Sequence, residues 1–294
     1  MAKALRGLGL LLVGSIGFAA CGGSAPPVSS HPDQSPAQSS SITFAGIART
    51  YVVFRPLSLD PKQPVPLVIA FHGYTVDAKW MEETTHFDAL AENAGFVVVY
   101  PQGTGNSFNA GSCCGNNTND DVGFTKALID KLVGTAHIDT KRVFATGMSN
   151  GGFMVQRLGC ELSDRITAVA SVSGSLLVES CTPSRAISVL EIHGTDDQTV
   201  PYQGGLIRGA LPVPSNMSVM KRWAGLDGCS ATPAMSQSGI TTTYTWTHCR
   251  DGSSVVLDAV AGGSHSWFGP EAMPGSPDAT QVAWTFFSQS RPLP

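Results

Sequence analysis

The chain has 294 residues, 42% of them hydrophobic and 14% charged, with a formal net charge of −4. That composition excludes a disordered or fibrous protein and fits one large domain with a substantial core. With 18 basic against 22 acidic residues and no basic run, no nucleic-acid partner is expected.

Residues 1–20, MAKALRGLGLLLVGSIGFAA, place Lys3 and Arg6 ahead of an apolar run ending in small residues, the pattern of an export signal. Phe18-Ala19-Ala20-Cys21 resembles a lipobox, in which the cysteine is lipidated and becomes the new N-terminus; plain cleavage near Ala20 is the other reading. Either way the expectation is an exported protein, at the cell envelope through a lipid on Cys21 or secreted. Residues 21–41 are rich in Ser, Pro and Gly and nearly free of large apolar side chains, so they read as a tether. The remaining domain, 42–294, is expected to be a monomer.

Six further cysteines, an even number in an exported chain, read as disulfides. Cys229 and Cys249 flank a short polar segment and a strand, and are expected to pair. Cys113 and Cys114 are neighbours, and each is expected to bridge elsewhere, to Cys160 and Cys181 in some order. No C-x-x-C pair or histidine at ligand spacing accompanies them, so no metal is expected; separately, no cofactor is expected.

From Ile42 the chain turns to short β-type runs, with an opening hairpin bending near Ala45-Gly46. Pro66 to Phe71 is continuously apolar, as a strand buried on both faces should be, and ends in His72-Gly73-Tyr74. A helix is expected over 78–93, then a second buried strand over 96–100. Strand, helix and strand of this kind predict a parallel sheet covered on both faces. Gly103 to Asn119 is a long Gly- and Asn-rich loop carrying two cysteines, and Asp120 or Asp121 caps the helix after it.

The segment Arg142 to Met154, RVFATGMSNGGFM, then sets Gly147-Met148-Ser149-Asn150-Gly151 between a β-type run and a helix-compatible one. In that context G-x-S-x-G is a nucleophile elbow, a turn so tight that the serine hydroxyl stands clear of the sheet. A serine needs a base, and the base an orienting acid; on such sheets they follow in the order Ser, acid, His. Of seven histidines only His193, His248 and His265 follow Ser149. His193 would have to precede its own acid, and His248 sits in a β-type run beside Cys249. His265, in the glycine-rich loop GGSHSW, is the expected base. Asp196 and Asp197 lie just past the strand that ends in His193-Gly194, and position alone does not separate them. Glu191 reads as a sheet-face residue. For the oxyanion, backbone N–H donors are expected from Asn150 and from Tyr74.

With these residues in place, the stretch from about Arg49 to Gly269 resembles the secreted α/β-hydrolases grouped as polyhydroxybutyrate depolymerase-like and feruloyl or acetyl-xylan esterases. The matching pieces are FHGYT, GSCCG with DVGF, RVFATGMSNGG, HGTDDQTVPY and GGSHSWFG, in that order. The resemblance implies an α/β-hydrolase fold with a mainly parallel eight-stranded sheet, and metal-free acyl-enzyme chemistry on carboxylic esters. It makes Asp197, of the D-x-x-V-P stretch, the triad acid and puts Trp267 in the substrate pocket, with a place in the core as the alternative. The expected substrate is a feruloyl or acetyl ester on soluble polysaccharide fragments, with a short-chain polyester or hydroxybutyrate oligomer as the alternative. Only 25 residues follow Gly269, too few for a polymer-binding module there. A peptidase and a non-catalytic binding lipoprotein are the readings from other classes.

Overall fold

The computed structural model describes residues 37–294. The export signal, Cys21 and the tether as far as residue 36 lie outside the described residues.

The opening hairpin is present, β1 (Gln38–Phe44) pairing antiparallel with β2 (Ile47–Phe54). Its first strand reaches back to Gln38, four residues into the expected tether. Along this edge, backbone pairing holds a polar segment that carries no hydrophobic alternation. The buried strands β3 (Val65–Phe71) and β4 (Val97–Pro101) follow, and every residue of both is buried. Between them the expected single helix is two, α1 (Ala78–Thr85) and α2 (Phe87–Ala94). His86, left-handed at φ 53°, breaks the run, and Asp77 caps α1 by accepting from Trp80 N–H at 2.8 Å.

The chain continues through α3 (Asp121–Ala136), β5 (Ile138–Met148), α4 (Asn150–Glu161), β6 (Ala168–Val172) and β7 (Ser188–Gly194). A small hairpin that sequence did not announce, β8 (Gly205–Ile207) with β9 (Leu211–Val213), precedes α5 (Asn216–Leu226). Then come β10 (Ala234–Ser238), β11 (Thr241–Trp246), β12 (Val255–Val260) and the closing helix α6 (Ala279–Gln289).

The main sheet has ten strands rather than the expected eight, in the order β1-β2-β4-β3-β5-β6-β7-β12-β11-β10. The six from β4 to β12 run parallel, and antiparallel strands extend both edges. Successive residues of β3 supply opposite cores. Leu67, Ile69 and Phe71 face a cluster with Phe124, Phe153, Leu158 and Trp223, whereas Val68 and Ala70 face one with Met81, Phe87 and Phe287. Strand order reverses between β4-β3 and β5, which opens a crevice at the carboxyl ends of the central strands.

The disulfides correct one expectation. Cys229 pairs with Cys249 as expected, but Cys160 pairs with Cys181, and Cys113 with its neighbour Cys114. Cys160 lies buried in the last turn of α4, where the loop after β6 brings Cys181 beside it, leaving the two adjacent cysteines to each other.

The long loop 103–119 is fastened from below by a buried ion pair. Arg49 on β2 reaches Asp121 Oδ1 at 2.5 Å, and its guanidinium lies 3.9 Å from the Phe124 ring centre. Asp121 Oδ2 accepts from Asn109 N–H and from the Asn117 side chain. Replacing Arg49 with Met should therefore leave a buried carboxylate without its cation, costing about 3 to 5 kcal/mol in denaturant unfolding. A loss well under 1 kcal/mol would show that the pair does not hold the loop.

Candidate active site

Ser149 stands between the end of β5 and the start of α4 with φ 53° and ψ −118°, a conformation few non-glycine residues adopt. The turn is tight because α4 begins almost against the end of β3. A Cβ on Gly147 would meet the carbonyl of Gly151 at 2.6 Å, and one on Gly151 would meet His72 O at 2.7 Å. Both positions thus need glycine for close approach rather than for φ. Ser149 N–H donates to Val172 O at 2.9 Å, tying the turn to β6.

Asp197 and His265 come from the loops after the neighbouring strands β7 and β12. Those loops are laced together: Thr195 N–H donates to Val260 O at 2.9 Å, Asp196 N–H to Gly263 O at 3.0 Å, and Gly262 N–H to the Thr195 hydroxyl at 2.9 Å. His265 Nδ1–H then donates to Asp197 Oδ2 at 2.7 Å. Asp197 is buried, and its Oδ1 accepts the N–H groups of Thr199 and Val200, both at 2.8 Å. Asp196 is exposed and shares its Oδ1 with the Thr195 hydroxyl. Burial alone would raise the Asp197 carboxyl, but hydrogen bonds from His193 and His265 hold it well below the usual carboxylate range.

Of the two residues expected to supply oxyanion donors, Asn150 directly follows Ser149 and Tyr74 lines the same cavity as Ser149. Asn150 N–H is the first amide of α4, one of the helix's N-terminal donors. Its side chain is fully buried and clamps the long loop, accepting from Phe108 N–H at 2.7 Å and donating to Phe108 O at 3.0 Å. A Cβ on Gly73 would stand 3.6 Å from the Ser149 Cβ, so the loop carrying Tyr74 passes close to the serine. His72 shapes that loop. Its Nδ1–H donates to Gly73 O at 2.7 Å, its Nε2 accepts from Gly103 N–H at 3.0 Å, and burial lowers its pKa.

Ser149, His265 and Tyr74 open into one cavity of about 350 Å³, whose apolar wall includes Phe153, Val200, Ile207 and Leu211. The Cys113–Cys114 pair forms part of its wall, and Arg208, at the tip of the β8-β9 hairpin, lies 5.1 Å over the Tyr74 ring. Trp267 is not among the residues lining this cavity, which corrects the expectation for it. Its indole is buried against Phe87 on the other side of the sheet, with Nε1–H donating to the Thr280 hydroxyl at 3.0 Å. Sequence reasoning passed over three further residues here. Glu191 and His193 are both fully buried behind Asp197, and Arg208 overhangs the cavity. The signal for the first two was a charged residue and a histidine inside an apolar strand; for Arg208 there was none.

The chain is similar to known esterases in sequence and to solved esterase structures in fold. The chain is 31% identical over 231 residues to feruloyl esterase B of Piromyces equi, covering 74% of this chain and 42% of that protein. It is 28% identical over 249 residues to a bifunctional acetylxylan esterase/xylanase of Neocallimastix patriciarum, covering 83% and 34%. The chain thus spans less than half the length of either. Feruloyl esterase D of Neurospora crassa is matched more evenly, 26% identical with 83% of each chain covered. The acetyl xylan esterase from Aspergillus awamori superposes with a TM-score of 0.63 over 85% of this chain and 99% of that one, at 17% identity, a likeness of fold. Residues 60–208, just over half of the 294, match the phospholipase/carboxylesterase family, and their match spans the elbow serine and the Asp197 loop: the chain belongs to that family.

Proposed function

We propose that the protein is a serine carboxylic-ester hydrolase that removes feruloyl or acetyl groups from polysaccharide fragments through an acyl-enzyme. The observation that carries this reading is the 2.7 Å hydrogen bond from His265 Nδ1–H to the buried Asp197, with His265 and the strained Ser149 opening into one cavity. Asp197 fixes the tautomer: an ionised carboxylate can only accept, so Nδ1 carries the proton and Nε2 is left as the base. Nε2 takes the Ser149 proton as the hydroxyl oxygen attacks the ester carbonyl, and the charge on the carbonyl oxygen is met by Asn150 N–H and Tyr74 N–H. The imidazolium returns its proton to the departing alcohol oxygen as the carbon–oxygen bond breaks. Water, deprotonated by the same nitrogen, then releases the acid from Ser149.

The choice of acyl group and polysaccharide rests on the feruloyl and acetylxylan esterases among the relatives. The apolar wall of the cavity suits an acyl group, and the exposed rim around Arg208 leaves room for the alcohol part. Three disulfides fit an oxidising compartment outside the cytoplasm, in keeping with residues 1–20 as an export signal. We place the domain at the cell envelope, with a lipid on Cys21 and a tether ahead of β1.

Ser149→Ala should abolish turnover of methyl ferulate and acetylated xylan by about a millionfold while leaving the melting temperature near that of the parent. Turnover that survives the substitution would end the reading. Asp197→Asn should cost about 10⁴-fold in kcat and Asp196→Asn less than threefold, as estimated from the role of such an acid; the reverse order would move the acid to Asp196. Intact mass of the membrane-extracted protein should show acyl chains on a mature N-terminal Cys21, and an unmodified terminus would leave plain secretion.

A further inference from the structure

Behind Asp197 lies a second buried imidazole. His193, the second-to-last residue of strand β7 before the acid loop, is fully buried. Its Nδ1 faces Glu191 Oε1 at 2.9 Å, and its Nε2 faces both Val200 O at 2.8 Å and Asp197 Oδ2 at 3.3 Å. The partners settle where the protons lie. Val200 O is an acceptor, so Nε2 carries a proton. Trp223 Nε1–H can only donate, and it donates to Gln156 Oε1 at 2.7 Å, which turns Gln156 Nε2 toward Glu191 Oε2 at 2.9 Å. Gly174 N–H donates to Glu191 Oε1 at 3.1 Å. Both Glu191 oxygens therefore receive donors, and Oε1 is left to accept from Nδ1 as well. Both ring nitrogens of His193 thus face oxygen acceptors, between two buried carboxyl groups.

We propose that His193 is a positioning residue whose positive charge holds Asp197 aimed at His265 and sets how far toward acid pH the enzyme keeps its activity. The proposal rests on the reading of His265 as the general base. Its pKa supports the geometry: burial opposes the charged ring, but hydrogen bonds to Asp197 and Glu191 outweigh burial and push it up to about 9. Few other charges face it. The residue beside it on β12 is Ala259, the one beside Glu191 on β6 is Ser171, and α4 and α5 present Gln156 and Trp223. Tyr202, its ring 6.0 Å away and its hydroxyl pushed up to about 12 by burial and by Tyr244 and Glu191, stays neutral over the working range. Apart from His265 itself, His193 is thus the sole cationic group among the described residues set against the Glu191 and Asp197 pair.

The sign of the effect follows. A cation near Asp197 offsets part of the negative charge facing the His265 ring, so removing it favours the protonated, inactive ring. Since His265 must be neutral to act, the acidic limb of kcat/KM moves to higher pH. The test is the pH profile of p-nitrophenyl acetate hydrolysis by the parent and by His193→Gln, alongside ¹⁵N NMR of the histidine rings in the parent. The variant's acidic limb should shift up by about one pH unit, a tenfold loss in kcat/KM on that limb, with kcat/KM near the parent's above the shifted limb and KM unchanged. A fall in kcat/KM that is equal at every pH, or a shift to lower pH, would overturn the proposal and leave His193 a packing residue. Should the variant fail to fold, the NMR decides. Two protonated ring nitrogens at pH 7 on the histidine in contact with Tyr202 are expected, and one alone overturns the proposal. The NMR result needs no turnover, whereas the esterase reading stands or falls on Ser149→Ala, so the two failures are distinguishable.

Discussion

The contact between the start of α4 and the end of β3 is the constraint from which the site follows. Because no side chain fits at Gly147 or Gly151, the chain can pass from β5 into α4 without a loop, and that passage leaves Ser149 at φ 53°. A residue held in so sparsely populated a region costs on the order of 1 to 3 kcal/mol, and it persists only where the surroundings outweigh it. Here they do. β5 is paired on both sides by β3 and β6, α4 buries ten of its twelve residues, and Ser149 N–H is held by Val172 O. The strain aims one hydroxyl out of the sheet, at the carboxyl ends of the strands where the other loops gather.

The same turn also organises the loop that walls the cavity. Asn150 has two separate tasks: its backbone N–H lies beside Ser149, and its buried amide clamps Phe108 and reaches Cys113 O. From the other end, Asp121 holds Asn109 and Asn117 while paired with Arg49. A 17-residue stretch with no regular structure is thereby fixed by two buried polar side chains, one at the elbow and one at the start of α3. Burying those groups is tolerable because each has its partners.

What could be read in the sequence depended on whether an element's identity was local. β3 and β4 showed themselves as unbroken apolar runs because both faces of a central parallel strand are covered. The elbow showed itself because its glycines are required sterically within five residues. β10 has every residue exposed and carries no pattern to find, and β1 begins in a serine run that only pairing with β2 makes a strand. The break at His86 changes a single φ. Disulfide partners are set by which loop returns to the end of α4, a property of the whole topology. Trp267 is only two residues from His265, yet its ring packs in the core on the other side of the sheet, where the resemblance did not put it.

Asp196 and Asp197 are adjacent and chemically alike, and the backbone alone separates their surroundings. Asp197 accepts two N–H groups from its own turn on Oδ1, which commits that oxygen and orients the carboxyl so that Oδ2 alone faces the imidazoles. Two rings compete for Oδ2, at 2.7 Å from His265 and 3.3 Å from His193. The shorter bond goes to His265, because Val200 O draws the His193 Nε2–H to itself at 2.8 Å. A backbone carbonyl in the same turn that fixes Oδ1 thus also restrains the second imidazole. His193 can lend its charge to Asp197 without taking the oxygen that His265 needs.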